Sequence, residues 1–473
     1  MAHTQRFLFM TASVLLLSGC ALGARTTARP EPQIAVPDRW IGLANEPLAG
    51  DVARYWTVLG DPLIDQLVAQ ALTENRNMVQ AAARLAQARA GVIQARAGYL
   101  PQVGASGNAG RDFAKGASDK IRFGLGADVR WETDLFGRIT LGVAASEAEL
   151  AGAGYSLADL QRGIVGQIAQ GVISGRSLAQ QLAIARDTVG IQQDNLQIAR
   201  WRLQAGLVTS LDVEQARAQL ADTSASIPAL ERELAATAHV LSRLAGEAPG
   251  RVLGELRDPR PIPRAGQAFD GDIPAAILRR RPDIRLAEAQ LAADLARLGL
   301  ARTQYLPTLQ LSGSINTSAL GLGSLFNTIT GGLLGSVSQM IFDAGRTRAQ
   351  VASAQAQAQA SAAGWEQAIL IALEEVESSA AALTAARERM AFTRISLEAA
   401  QNTALLARSQ YQAGLIDFQR LLTAESSLLS ARNAVIAGEA EEAAAFVRLT
   451  QALGGGWDPA LPLSTYDALL SER

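Results

Sequence analysis

The chain has 473 residues, of which 48% are hydrophobic, 19% charged and only 5% aromatic, and its formal net charge of −2 gives no reason to expect a nucleic-acid partner. Lysine occurs only at Lys115 and Lys120 and histidine only at His3 and His239, which excludes a Gly-Lys-Ser phosphate loop and a histidine metal cluster. Neither a Gly-x-Ser-x-Gly elbow nor a Gly-x-Gly-x-x-Gly fingerprint is present, so no catalytic residue, no metal and no bound cofactor is expected.

At the start of the chain Arg6 precedes an apolar run from Phe7 to Leu17 that is too short to span a bilayer and reads as a secretory signal over 1–19. Leu17-Ser18-Gly19-Cys20 then looks like a bacterial lipobox, in which cleavage leaves a lipid-bearing cysteine as the mature N-terminus. Cys20 is the single cysteine, and a lone thiol in an oxidising compartment has no internal disulfide to form. Covalent lipid on Cys20 gives it a use, and several acyl chains there would hold residues 20–60 at a membrane.

After the signal no run is long and apolar enough for a transmembrane helix, so any crossing falls to strands. The first candidate alternates Val103, Ala105, Gly107 and Ala109 against Gln102, Ser106, Asn108 and Arg111. In the second, Phe123, Leu125, Ala127, Val129 and Trp131 alternate with Arg122, Gly124, Gly126, Asp128, Arg130 and Glu132, which yields one lipid-compatible face and one wet face.

A proline-free stretch from Arg138 to Leu203 follows, and as one helix it would reach about 100 Å. Apolar residues recur in it every seven positions, on one line at Leu182, Val189, Leu196 and Leu203 and on another at Ile184, Ile191 and Ile198. Val213, Leu220, Ile227, Leu234 and Leu241 continue the rule in the next helix, where Pro228 predicts a kink or a local loosening. A strict heptad is the pattern of helices that supercoil, and two lines on one helix call for neighbours on both sides.

The second half repeats the first. Gly137, Gly206 and Gly246 recur 208 residues later as Gly345, Gly414 and Gly454, and Leu182, Val189 and Leu196 recur as Met390, Leu397 and Ala404. Ile369, Val376 and Leu383 begin that later line. Tyr99-Leu100-Pro101 returns as Tyr305-Leu306-Pro307 with a slightly different offset. Two further strands are predicted, one with Leu309, Leu311 and Ile315 alternating against Thr308, Gln310, Ser312, Ser314 and Asn316, the other from Leu333 to Ile341. The chain therefore divides into a first repeat over 61–254, a second over 255–454 and a tail over 455–473, each repeat holding short helices, two strands and a long helical hairpin. Gly206 and Gly414 suit left-handed helix ends, and Thr209 and Asp417 suit the caps of the helices that follow.

Four strands cannot close a barrel, because single-chain outer-membrane barrels begin at about eight. Open edges are not tolerated in lipid, so several chains must share one barrel. Three chains would supply twelve strands and, through the duplication, approximate sixfold symmetry in the helices. The same symmetry places Asp212 of the first hairpin and Arg420 of the second, each six residues beyond its turn glycine, at equivalent positions where acid and base could alternate around a closed end. Two local roles compete with that: a carboxylate at Asp212 suits a helix N-terminus, and Arg420 can pair with Asp417 on its own helix.

The run Leu278-Arg279-Arg280-Arg281-Pro282-Asp283-Ile284-Arg285, with Ala287-Glu288 and Tyr305-Leu306-Pro307 after it, carries a family likeness. Ile341-Phe342-Asp343-Ala344-Gly345-Arg346, Ile227-Pro228-Ala229-Leu230-Glu231 and Leu244-Ala245-Gly246-Glu247-Ala248-Pro249-Gly250 strengthen it. From Cys20 to about Gly454 the chain resembles a TolC-like outer membrane factor of the lipoprotein type that serves resistance-nodulation-division efflux pumps. The resemblance implies a mainly α chain contributing four strands and coiled-coil-like helices to a homotrimeric α/β barrel, set in outer-membrane lipid with a helical tunnel in the periplasm. It further implies a periplasmic adaptor and an inner-membrane pump as partners, and passage of drugs or other small toxic compounds. The family's docking tips carry over to Gly206, Leu207 and Val208 and to Gly414, Leu415 and Ile416, and Tyr411 matches a tyrosine near the closed end. Met340 stands where a proline is usual, Thr423 where an aspartate is frequent and Gln412 where an arginine is common, so the gate contacts need not be the usual ones. An exit duct for type I protein secretion and a non-conducting periplasmic helical scaffold are the alternatives; a neighbouring adaptor and pump would single out efflux, and conductance would set both ducts apart from the scaffold.

Overall fold

In the computed structural model, residues 34–41, 52–112, 120–264 and 274–458 are described; the signal, Cys20 and the tail beyond residue 458 lie outside them. A short 3₁₀ segment, Val52–Leu59, leads into α1 (Pro62–Glu74) and α2 (Arg76–Ala97). Strands β1 (Gln102–Asp112) and β2 (Lys120–Thr133) precede the hairpin of α3 (Arg138–Gln204) and α4 (Ser210–Leu244). The order then returns: α5 (Arg251–Arg257), α6 (Pro274–Arg280), α7 (Pro282–Thr303), β3 (Thr308–Ala319), β4 (Ile329–Ser338), α8 (Arg346–Gln412) and α9 (Phe418–Ala452).

Element lengths record the duplication more directly than the side chains do. α2 and α7 each have 22 residues, α3 and α8 each 67, and α4 and α9 each 35. The duplicated glycines all sit at helix boundaries with positive φ, between 71° at Gly206 and 89° at Gly345. Only glycine takes that conformation without a steric cost, so the turns were copied with their backbone geometry intact. Both long helices start at the residue after the glycine, but the second copy has one residue fewer between its capping carboxylate and that glycine. Asp134 stands three residues before Gly137 and caps α3 through Ile139 and Thr140 N–H, whereas Asp343 stands two before Gly345 and holds Gly345 and Thr347 N–H. Ala344 takes up the difference with a φ of 55°.

The heptad lines run along the packed sides of the helices. Leu182 and Leu196 are buried, as are Ile369, Val376, Leu383, Met390 and Ala404, while Val189, Leu397, Ile184, Ile191 and Ile198 are half-buried in the single chain and Leu203, the last of its line, is exposed. α4 continues through Pro228 as one helix; in the turns before it the Thr223 and Ser226 hydroxyls donate to the carbonyls of Gln219 and Thr223. No helix of the described residues is long and apolar enough to cross a membrane.

The four strands form one antiparallel sheet in the order β1-β2-β3-β4, so β2 and β3 join the repeats. Its register collects Val103, Val129, Gly313 and Leu333 in one row and Ala105, Ala127, Ile315 and Gly331 in the next. The fourth strand spans residues 329–338 rather than the expected 333–341: pairing with β3 begins at Thr317↔Ile329 and ends at Thr308↔Ser338. Gly331, Gly332 and Gly335 dilute its alternation and hid its start.

Compactness divides the chain across the repeats rather than between them. One unit takes in 84–154 with 286–367, that is, both strand pairs and the adjoining ends of helices; the other takes in 35–83, 155–285 and residues from 368 onward. The expected repeat boundary at 254/255 falls inside α5.

Candidate functional site

The sheet is two-sided. One face carries Val103, Ala105, Phe123, Leu125, Ala127, Val129, Trp131, Leu311, Ile315, Ile329, Leu333 and Val337; the other carries Gln102, Ser106, Asn108, Arg122, Asp128, Arg130, Glu132, Gln310, Ser314, Asn316 and Ser336. Strand side chains alternate with period two, so this register sorts most apolar from polar residues across the four strands. Leu334 is the exception on the polar side, and Thr133, Thr317 and Arg111 are exceptions on the apolar side, Arg111 pairing with Ile121 rather than joining Gln102, Ser106 and Asn108 as expected. Gly124 and Gly126 lie on the polar face, where an added Cβ would collide with the side chains of Asn108 and Asn316. Charge on this face is balanced locally: Arg130 lies 3.5 Å from Asp128, and Arg138 at the start of α3 is bound to Glu132.

At the hairpin tips both turns close in the same way. Leu207 N–H donates to the Arg202 carbonyl at 2.8 Å and Gly206 N–H to Leu203 at 2.9 Å; Leu415 N–H donates to Gln410 at 2.9 Å and Gly414 N–H to Tyr411 at 3.0 Å. These are the paired bonds of a left-handed helix stop. The turns sort the predicted docking residues by direction: Leu207 and Leu415 are 73% and 74% exposed, whereas Val208 and Ile416 are half-buried and Ile416 packs inward. Inward means an apolar cluster to which all four long helices contribute, with Leu196 and Ala199 from α3, Ala216 from α4, Ala407 and Tyr411 from α8, and Phe418, Leu421 and Ala424 from α9.

The candidate gate residues separate into local and inter-hairpin roles. Asp212 accepts from Thr209 N–H at 2.8 Å and from Thr209 Oγ1 at 2.9 Å, holding the first turn of α4. In the second hairpin Asp417 itself is the cap and accepts from Arg420 N–H at 2.9 Å. The capping carboxylate has thus moved three positions, which frees position 420 for a base. Within one chain Asp212 and Arg420 form no ion pair among the described residues, and Arg420 is exposed. Tyr411 is buried against Phe418, with ring centroids 5.4 Å apart. Burial pushes its phenol pKa up, with the Asp212 carboxylate adding to the rise, and the neighbouring Arg202 guanidinium opposes this only in part.

Two groups here escaped the sequence reading. Glu425 is buried and accepts from Asn195 Nδ2 at 2.7 Å and Arg408 Nε at 2.9 Å, forming a polar layer beside the apolar cluster. The signal was available, since its repeat partner 208 residues earlier is the exposed Arg217. Arg202 is the second, and its repeat partner is Gln410.

The motif Arg280-Arg281-Pro282-Asp283 resolves into a junction. Arg281 is fully buried and reaches Asp283, Glu375 at 2.6 Å and the Ala452 carbonyl at 3.1 Å. Burial opposes the guanidinium's charge, yet the two carboxylates raise its pKa overall. Among the described residues there is no cluster suited to a metal ion.

A family model described as outer membrane efflux protein matches residues 67–247 and again 273–455. The cation efflux system protein CusC of Escherichia coli O6:H1 is 29% identical over 458 residues, covering 94% of this chain and 97% of its own. Outer membrane protein OprJ of Pseudomonas aeruginosa is likewise 29% identical over 458 residues and covers 94% of each chain. The solved structure of the outer-membrane channel OprN superposes with a TM-score of 0.81 at 32% identity, covering 92% of this chain and 98% of that one.

Proposed function

The chain belongs to the outer membrane efflux protein family, whose members are transport channels and not enzymes, and we propose that it works as a homotrimer anchored by lipid on Cys20. As an outer-membrane efflux channel it passes small toxic compounds outward; a periplasmic adaptor and an inner-membrane pump deliver them. The observation that carries the trimer is the sheet: one mainly apolar face, one polar face, and two outer strands, β1 and β4, that each pair on one side only. Lipid does not tolerate such edges, and antiparallel joining of β4 to the β1 of a neighbour would remove them. On α8, exposed Phe392 and Leu406, two heptads apart, and Ile395 between them supply an apolar stripe for a neighbouring copy. Leu207 and Leu415 are the side chains that meet the adaptor, with Gly206 and Gly414 setting their direction.

Asp212 and Arg420 form the closed-end pair between hairpins, with Asp417 fixing the turn that carries Arg420. Planar-bilayer recording of the purified full-length protein, with native mass spectrometry, tests the reading. A trimer with discrete conductance is expected; monomers, or trimers that never conduct, contradict it. Asp212→Arg or Arg420→Asp should raise resting conductance and the double exchange should restore it, and a double variant as leaky as the singles removes the pair. Cys20→Ser behind a cleavable signal should weaken anchoring and leave trimers recoverable.

A further inference from the structure

The two long hairpins are copies, but one contact between their ends has no counterpart in the duplication. The last turn of α3 contains Arg202, and the last turn of α8 contains no basic residue, because Gln410 occupies the equivalent place. A helix C-terminus concentrates unpaired carbonyls and favours a cation beside it. Arg202 supplies that cation from the other hairpin. Its Nη1 and Nη2 donate to the Tyr411 carbonyl at 3.3 and 3.2 Å, and Nη2 reaches the Gln412 carbonyl at 3.4 Å. The guanidinium carbon lies 4.2 Å from the centre of the Tyr411 ring. The same Tyr411 carbonyl accepts from Gly414 in its turn, and the Arg202 carbonyl accepts from Leu207 in the other, so one side chain ties the two tip turns together.

The chemistry of this tie is one that holds and lets go. Arg202 forms no ion pair among the described residues; its partners are carbonyl dipoles and a ring face, each weaker than a buried carboxylate. The tyrosine hydroxyl is secondary. It is buried without a hydrogen-bond partner of regular geometry, because the guanidinium lies over the ring; from there it acts on the phenol by charge and by a poorly aligned approach to its oxygen. The apolar cluster beneath, with Phe418 against Tyr411, gives the ring its fixed position.

We propose that Arg202 is a releasable latch that holds the tip of the second hairpin to the first, acting through the ring face of Tyr411 and the main-chain carbonyls of residues 411 and 412 rather than through the tyrosine hydroxyl. The inference rests on the channel reading: releasing the latch frees the second hairpin to move and the closed end to widen. Arg202 is a positioning residue and need not touch cargo.

The test is resting conductance of full-length protein in planar bilayers, with thermal dissociation of the oligomer recorded on the same samples. Arg202→Ala and Tyr411→Ala should raise resting conductance by about fivefold, the loss expected for a modest cation–π and carbonyl contact, with the oligomer still intact. Tyr411→Phe, which keeps ring and carbonyls, should rise far less than Tyr411→Ala. Wild-type resting conductance in an intact Arg202→Ala oligomer overturns the latch, and so does a Tyr411→Phe channel as leaky as Tyr411→Ala. Should Arg202→Ala fail to assemble, Arg202→Lys keeps the charge but loses the planar fork, and it must show an intermediate rise; an assembled Lys variant that stays closed overturns the proposal. Phe418→Ala, which loosens the same cluster, separates the two levels of the argument. If it conducts while Arg202→Ala does not, the latch alone fails; if no variant ever conducts, the channel reading fails and the latch with it.

Discussion

The two repeats are equal in length and unequal in chemistry, and the places where they differ are junctions. Between α1 and α2 the buried Asn75 donates through Nδ2 to the Leu244 carbonyl at 2.7 Å; between α6 and α7 the buried Arg281 donates to the Ala452 carbonyl at 3.1 Å. Leu244 and Ala452 are 208 residues apart, and Asn75 and Arg281 are 206 apart, the same offset as the two Tyr-Leu-Pro turns. Each copy therefore secures the end of its returning helix from the same place, one with a neutral amide and the other with a guanidinium that draws in Asp283 and Glu375. Duplication preserved backbone geometry, and side chains diverged where the copies had to fit surroundings that are not copies.

The largest effect expected from breaking this comparison is at Arg281. Arg281→Ala leaves Asp283 and Glu375 without their buried partner and should cost about 3–5 kcal/mol. Asn75→Ala removes only neutral bonds, the one to the Leu244 carbonyl and those that Oδ1 accepts from Asn77 and Met78 N–H, and should cost about 1–3 kcal/mol. Denaturant or thermal unfolding of the two variants checks the order, and a reversed ranking would mean that the charged junction is not the stronger fastener.

The sheet allows a second contrast, between its faces. Val129→Arg places a charge where lipid is proposed and should cost about 2–4 kcal/mol near the midplane, read as loss of oligomer. Asp128→Asn, one residue away on the polar face, should alter conductance and spare assembly; equal damage from both would contradict the alternation.

A smaller effect follows from Asp283. Burial alone would raise its pKa, but the bond and charge of Arg281, with Arg162 behind, hold the carboxyl below the usual carboxylate range. Between that depressed value and the ordinary one near about 3.9 the folded chain binds fewer protons than the unfolded chain. The contribution is therefore complete above the ordinary value and is lost as pH falls through the depressed one. Thermal stability should show no Asp283-dependent loss from neutral pH down to about pH 4 and a decline below it, and Asp283→Asn should remove that acid limb. In the first repeat Asn75 has no proton to gain, so Asn75→Ala should leave the limb in place.

Much of this architecture is legible in the sequence. The proline-free stretch became a single 67-residue helix, the heptads became its packed side, and the duplicated glycines became positive-φ turns. Three features were not legible, for separable reasons. The glycines of β4 erased its alternation, so only pairing with β3 located it. The equivalence of Asn75 and Arg281 was hidden because the residues share neither chemistry nor the main repeat offset. Arg202 acts on another hairpin's helix end, and no periodicity within its own helix reports that.

The most direct test of the central claim is edge-to-edge cross-linking of the sheet. Full-length protein with a cysteine at Ala105 in β1 would be paired in turn with cysteines at Ile329, Gly331, Leu333 and Gly335 along β4, then treated with a short thiol cross-linker in membranes. If neighbouring copies close the barrel, one register of that ladder links chains into species no larger than a trimer on denaturing gels. If no position along β4 links to β1 of another chain, the sheet does not continue from copy to copy and the shared barrel is wrong.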